Sequence, residues 1–461
     1  MIQTNKLFLR NKPFFTMDKV LATIAIIGVF ILAATALSLY NLNNEQYFQE
    51  TLIEYQPKSY SVPIIEDDPI KIGIIHSLTG TMAISEKPVV DSTLLAIKQL
   101  NDRGGILGRK VTPIVLDGQS DWNTFANQAE HLIVQEEVDV IFGGWTSASR
   151  KTMLPVIEKY DHLLFYPVQY EGLEQSPNIV YTGAAPNQQV IPAVIWAHQN
   201  LGERFFLVGS DYVFPRSANE IIKHQIEKLG GEVVGEEYKL LGEKNFDDVI
   251  EKISTTNPSV ILNTINGDSN VYFFKTLRNN GLTSENIPTI SFSIAEDEIR
   301  HIGAEYVKGD YASWNYFQSL ENESNRDFVT SFKNEYGQDR VTDDPMEAAY
   351  NGIFLYAKAV EKAETTSLHN VRNAIKGLTL SAPEGTVGID PTNQHLAKVI
   401  RIGQILDNGQ FKIVASSEDP IRPIPYPDYH SKSEWDEFLN DLYVKWDGNW
   451  ANPGIVEMDD V

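Results

Sequence analysis

From Ile70 onward the chain alternates short runs of β-branched and aromatic residues with amphipathic stretches of helical period, and that alternation constrains the fold class more than any other feature. IKIGIIHSLTG ends in a glycine-containing polar loop. It is followed by a helix with Val90, Leu94 and Ile97 on one face, stopped by Gly104-Gly105. The unit then recurs. VTPIVLD precedes a helix at about 122–136, VDVIFGG precedes SRKTMLPVIEKY, and HLLFYPVQ and IVYTGAAP follow. Apolar runs separated by helices predict a parallel sheet covered on both faces. After a pause at TGAAPNQQ a second series begins, with strands RFFLVGS, EVVGEEYKL, SVILNTING and PTISFSI, so the expected fold is α/β with two doubly wound lobes. Beyond Gly309, YASWNYF leads into helices at about 324–336, 344–363 and 368–376. The stretch from Thr386 to Ser416 then reads as a hairpin turning at Asp407-Asn408-Gly409, and the remainder as an aperiodic tail.

The amino terminus sets the compartment. Val20 to Tyr40 is uncharged and mostly apolar, and at about 1.5 Å per residue it is long enough for a hydrocarbon core of roughly 30 Å. Arg10, Lys12 and Lys19 precede it, which keeps residues 1–19 cytoplasmic and sends the rest out. Ala34-Thr35-Ala36 has the small-x-small spacing of a signal-peptidase site, whereas the apolar run continues through Leu37 and Leu39. Cleavage after Ala36 and anchoring in the cytoplasmic membrane by residues 20–40 are the two expectations, and both make the bulk of the chain extracytoplasmic. Residues 41–69 read as a linker.

Several chemistries are excluded. With 62 acidic against 38 basic residues and a formal charge of -24, the chain repels a phosphate backbone, so nucleic acid is not an expected partner. The absence of cysteine removes disulfides, thiolate zinc sites, thiol nucleophiles and lipidated cysteine anchors. No HExxH, phosphate loop, GxGxxG or GxSxG motif is present, and the expectation is a binding protein with no metal or cofactor rather than an enzyme. Glu296-Asp297-Glu298 reads as a solvated helix start, and His76, closing the first strand, as a ligand contact or a structural histidine.

Two polar and aromatic clusters, Trp145-Thr146-Ser147 and Tyr166 to Tyr170, fall at the carboxyl ends of VDVIFGG and HLLFYP, where open α/β sheets place small ligands. By residue type alone, Trp145 and Phe214 also suit a core, and Ser147 and Asp268 suit helix caps. Tyr166 and Tyr212 could equally bond backbone, and Gln169 could face solvent. The motifs GWTSASRK (144–151), FYPVQYEG (165–172), YTGAAPNQQ (181–189), GSDYVFPR (209–216), NGDSN (266–270) and DPMEAAY (344–350) add to this reading. Together they resemble the urea-binding components of branched-chain-amino-acid-type ABC transporters, within the type I periplasmic binding proteins, over residues 70–430.

The resemblance implies two lobes joined by three crossovers near residues 186, 312 and 379. Lobe 1 would be 70–186 plus 313–378, lobe 2 would be 187–312 plus 379–430, and 431–461 would be the tail. Urea or a short-chain amide would be held between the lobes for permease subunits of an ABC transporter. The alternative is a membrane-tethered receptor that passes ligand occupancy to a signalling partner.

The resemblance also assigns roles. Ser147, with backbone N–H groups at a helix start, would take the carbonyl oxygen, and Gln169 would offer both an acceptor and a donor. Trp145, Tyr166, Tyr212 and Phe214 would sandwich the planar ligand, and Asp268 would accept N–H from the opposite lobe. The amide-receptor branch has a hydroxyl residue and a proline at the positions of Val168 and Gln169, which places the choice between amide and urea there.

Overall fold

The computed structural model describes residues 65–454. The segment Val20–Tyr40 lies outside the described residues, and among the described residues no helix is long and apolar enough to cross a membrane.

The first lobe is built on β1 (Ile65–His76), β2 (Arg109–Asp117), β3 (Val140–Gly143), β4 (Leu164–Tyr166) and β5 (Ile179–Tyr181), in the order β2-β1-β3-β4-β5 and parallel throughout. Ile70, Ile72, Ile74 and Ile75 on β1 are all fully buried, as a strand covered on both faces requires. The connecting helices are α1 (Ala83–Asp102), α2 (Trp122–Val134) and α3 (Ser147–Lys159). Asp121 caps α2 by accepting from the Thr124 N–H, and Thr146 caps α3 by accepting from that of Ser149.

The second lobe follows the same rhythm through α4 (Val190–Asn200), β6 (Arg204–Ser210), α5 (Val213–Leu229), β7 (Glu232–Lys239), α6 (Asp247–Thr256), β8 (Val260–Thr264), α7 (Ser269–Asn279) and β9 (Thr289–Ser291). The short helices α8 (Glu296–Ile302) and α9 (Ala304–Val307) lead into β10 (Tyr311–Trp314). The chain then returns to the first lobe for α10 (Glu323–Tyr336), α11 (Asp344–Ala363) and α12 (Leu368–Ala374). After these come β11 (Thr379–Ala382), β12 (Gly385–Ile389), β13 (Leu396–Ala397), β14 (Arg401–Ile405), β15 (Phe411–Ser416) and α13 (Lys432–Lys445). The second sheet has the order β15-β14-β10-β9-β8-β6-β7 and is mixed, because β14 runs antiparallel to both β10 and β15.

Four expectations change. The stretch from Thr386 to Ser416 is not one hairpin. β11, β12 and β13 form a separate three-stranded sheet whose Ala382, Val387, Ile389 and Leu396 enter the first lobe's core beside Ile353, Leu355 and Leu378. The last passage between lobes therefore falls between Lys398 and Arg401 rather than near 379. The β14–β15 hairpin does turn through Gly409, whose φ of 74° is the left-handed conformation such a turn needs.

The tail is not aperiodic. Ser431 and Glu434 form a capping box, and α13 buries Trp435, Leu439 and Leu442 against the second lobe. Finally, Glu296, Asp297 and Glu298 do start a helix, α8, but each is only 1% exposed, so the start is buried and not solvated.

Candidate ligand cleft

The carboxyl edges of the two parallel strand sets face each other across a seam. The first lobe contributes the loops after β1, β3 and β4, and the second those after β6, β8 and β9. At Gly143 (φ 147°) a Cβ would lie 2.0 Å from the Ile75 carbonyl oxygen, so only glycine lets β3 leave the sheet here and deliver Trp145 to the edge. Gly183 is required for a similar reason, because its Cβ would meet the Val168 carbonyl carbon at 2.0 Å.

Direct bonds join the two edges. Trp145 Nε1 donates to Asn266 Oδ1 at 3.3 Å, and Gln169 Nε2 donates to the Phe292 carbonyl at 2.8 Å and to Ser293 Oγ at 3.0 Å. The Asp268 N–H donates to the Thr81 carbonyl at 3.2 Å, while the Thr81 hydroxyl donates back to the Asp268 carboxylate. The lobes are therefore closed on one another.

The structure brings most of the sequence-selected side chains to this seam. Trp145, Tyr166 and Val168 share one buried cluster on the first lobe, and Tyr212 and Phe214 share another on the second. The Tyr166 hydroxyl donates to the Trp145 backbone carbonyl, which ties the Tyr166 ring to the β3–α3 loop. Tyr212 sits across from them. Burial raises its phenol pKa well above the usual value, and the neighbouring Tyr166 and the Glu171 and Glu86 carboxylates raise it further. Phe214, in the first turn of α5, packs 6.2 Å from the Tyr212 ring. Asp268 is half-buried at the rim and occupied by Thr81. Gln169 is 3% exposed; with its Nε2 spent across the seam, its Oε1 is buried without a partner.

Ser147 opens α3 but does not cap it, since Thr146 does. Its hydroxyl donates to Glu171 and accepts from Arg150 Nη1 at 3.1 Å.

Arg150, Lys151, Glu171 and Glu174 were not singled out in the sequence, although all four lie in or beside the SASRK and YEG motifs. Arg150 Nε reaches Glu174 Oε1 at 2.7 Å and Nη2 reaches Glu171 Oε1 at 3.2 Å, while Lys151 Nζ lies 3.0 Å from Glu174 Oε2. The guanidinium also stacks over the Tyr166 and Tyr170 rings at 4.7 and 4.5 Å. Two cations and two anions thus balance behind the cleft wall. Burial alone would raise the Glu174 pKa, but Arg150 and then Lys151 outweigh it and hold the carboxyl down to about 2.

His76, singled out in the sequence, pairs with Glu86, which was not. Glu86 is fully buried, its Oε2 accepts from the Ser77 N–H at 2.7 Å and lies 3.1 Å from His76 Nδ1, and its Oε1 has no partner. Lys398, at the last interlobe passage, reaches back to the first: its Nζ lies 3.1 Å from the Thr182 carbonyl, and 3.2 Å from Glu384 Oε1. Asn315 helps, with its Nδ2 donating to the Gln188 and Val399 carbonyls at 3.2 and 2.9 Å. Among the described residues no group of three or more His, Cys, Asp or Glu side chains could hold a metal ion.

Against known proteins, the model of the periplasmic binding protein domain matches residues 70–432. The chain is 22% identical over 357 residues to a Leu/Ile/Val-binding protein homolog of Brucella melitensis, covering 75% of this chain and 90% of that one. It is 39% identical over 124 residues to a limonene hydroxylase of Geobacillus stearothermophilus, but spans only 23% of that protein's length and matches over 27% of its own. Among solved structures it is similar to a solute-binding protein of an ABC transporter from R. palustris in complex with 4-hydroxybenzoate. That match has a TM-score of 0.70 at 22% identity, over 78% of this chain and 99% of the other. A leucine-binding protein from Thermotoga maritima gives a TM-score of 0.66 at 21% identity, over 75% and 98%.

Proposed function

The chain belongs to the periplasmic binding protein family, and from that premise we propose that it is an extracytoplasmic solute-binding protein that captures urea, or a short-chain amide of similar shape, between its lobes for an ABC permease. The observation that carries this reading is the pair of buried acceptors without partners at the seam, Gln169 Oε1 and Glu86 Oε1. A buried acceptor without a donor costs about 1 to 3 kcal/mol, so a ligand rich in N–H groups is the complement these atoms call for. Urea has four N–H groups and one carbonyl oxygen. The N–H groups fit these two acceptors, the oxygen fits the free backbone N–H groups that open α3, and the flat molecule fits between Trp145, Tyr166 and Tyr212.

The relatives' names point to leucine, isoleucine and valine or to hydroxybenzoates, all of which carry a carboxylate. Backbone N–H groups at a helix start can hold part of such a ligand's charge, and a cation in the cleft would neutralise it. Here Arg150 and Lys151 are committed to Glu171 and Glu174 behind the wall, and Glu86 would repel an anion. The charge arrangement therefore favours a neutral amide over the acids named for the relatives.

Calorimetric titration with urea, acetamide, formamide, leucine and 4-hydroxybenzoate tests this. Urea or one of the small amides should bind more tightly than either acid. Leucine or 4-hydroxybenzoate binding more tightly than every amide would overturn the reading.

A further inference from the structure

We propose that closure of the two lobes takes up protons on a set of carboxylates trapped at the seam between α8 and the first lobe, so that pH sets the balance between open and closed forms. α8 packs on α1 and carries Glu296, Asp297 and Glu298, each 1% exposed. The first lobe presents Asp343, 3% exposed, at the start of α11, and Asp91 on α1. Glu296 Oε1 accepts from the Gln318 N–H at 2.7 Å and Glu298 Oε2 from that of Ala295 at 3.0 Å. Their other oxygens, Glu296 Oε2 and Glu298 Oε1, are buried with no partner. Ionised carboxylate oxygens in that situation pay a large desolvation cost, which a proton removes.

The surrounding charges do not relieve it. Arg300 is bound to Asp297 Oδ1 at 2.8 Å and leans toward Asp339 at 3.5 Å, and His301 Nδ1 contacts the Asp297 carbonyl at 2.9 Å. Arg340 is bound to Asp91 at 2.9 Å. With the exposed Lys87, Arg300, His301 and Arg340 line an open groove of about 610 Å³ along the same seam, which Asp91 and Asp297 also border. From α1, Glu86 turns to His76; from α7, Arg278 is held by Asp310 and Lys275 lies over Tyr306. Behind Asp343, Asp344 and Glu347 face Lys398 and Arg401. α9 adds only the further acid Glu305.

Burial pushes Glu296 up to about 8 and Glu298 up to about 7 and holds Asp343 well above the ordinary range; neighbouring carboxylates add to it, while the Gln318 N–H at Glu296 and the Ser85 hydroxyl from α1 at Glu298 oppose it without cancelling it. Opening the seam lets water reach these groups and returns them toward ordinary values, so the closed form binds more protons. Closure is then favoured at low pH and weakens as pH rises through about 7 to 8. None of this depends on which solute the cleft takes.

The test uses the ligand-free full chain. Because it has no cysteine, a pair introduced at the exposed positions Asn127 (first lobe) and Glu251 (second lobe) can carry spin labels, with a control pair at Asn127 and Asp102 inside one lobe. Between about pH 5 and about pH 9 the interlobe distance should gain a longer population while the control pair stays fixed. Glu298→Gln combined with Asp343→Asn should move that transition up by about one pH unit or more, or abolish it, and Glu298→Gln alone should move it part of the way. An interlobe distance independent of pH, an identical transition in the variants, or a matching change in the control pair would overturn the proposal.

Discussion

Replacing Arg150 by methionine keeps most of the side-chain volume behind the cleft and removes its charge. Glu171, Glu174 and Lys151 stay buried, so the site goes from two cations and two anions to one and two. The magnitude follows from two routes. Glu174 is held from its usual 4.5 down to about 2, a difference of about 2.5 units, which at about 1.4 kcal/mol per unit is on the order of 3 kcal/mol. Removing one partner of a buried ion pair independently suggests about 3 to 5 kcal/mol.

The assay is guanidinium denaturation, since urea is the proposed ligand, run from about pH 5 to about pH 8. In the parent, the depressed Glu174 contributes stability that is present above about 4.5 and lost only as pH falls through about 2. In Arg150→Met the Glu174 carboxyl should shift the other way. With burial no longer outweighed, its folded value rises above the unfolded one, so the variant should regain stability as pH is lowered toward about 5 and lose it as pH rises. A loss below about 1 kcal/mol, or a pH profile like the parent's, would refute the claim that this network holds the wall.

Two further outcomes are expected. Gln169→Leu removes two cross-lobe hydrogen bonds, of 2.8 and 3.0 Å, and the acceptor Oε1. At about 1 kcal/mol each this should weaken urea binding by roughly 30- to 150-fold in a titration, and a change under threefold would remove Gln169 from the site. Trp435→Ala empties a fully buried position where α13 meets the second lobe, so it should cost about 3 to 5 kcal/mol in thermal or chemical unfolding, whereas unchanged stability would mean that α13 does not hold the lobe.

The parts legible in the sequence were those with short-range signals. Strand and helix periods located both sheets, and the motifs after VDVIFGG and HLLFYP fell on the seam because the carboxyl edge of a parallel strand is fixed by direction alone. Long-range choices were harder to read. Nothing local to Thr379–Ala397 says which lobe buries Ile389 and Leu396, and the first-lobe core wins by offering Ile353 and Leu355 as neighbours. α13 was legible but overlooked, since Ser431-x-x-Glu434 is a helix-start pattern.

The placement of Glu86, ten residues beyond His76, depends on α1 turning it back under β1. The roles of Arg150 and Glu174 depend on two loops meeting through a guanidinium. Charged residues read in one dimension look solvated, as Glu296 to Glu298 did, and only packing reveals that they are buried.

A crystal structure of the chain grown with urea tests the central claim most directly. The account predicts one urea at the seam, its N–H groups within about 3 Å of Gln169 Oε1 and Glu86 Oε1, its oxygen toward the first turn of α3, and its plane against Trp145, Tyr166 or Tyr212. Urea bound elsewhere, or in the seam without contact to either Gln169 or Glu86, would contradict it.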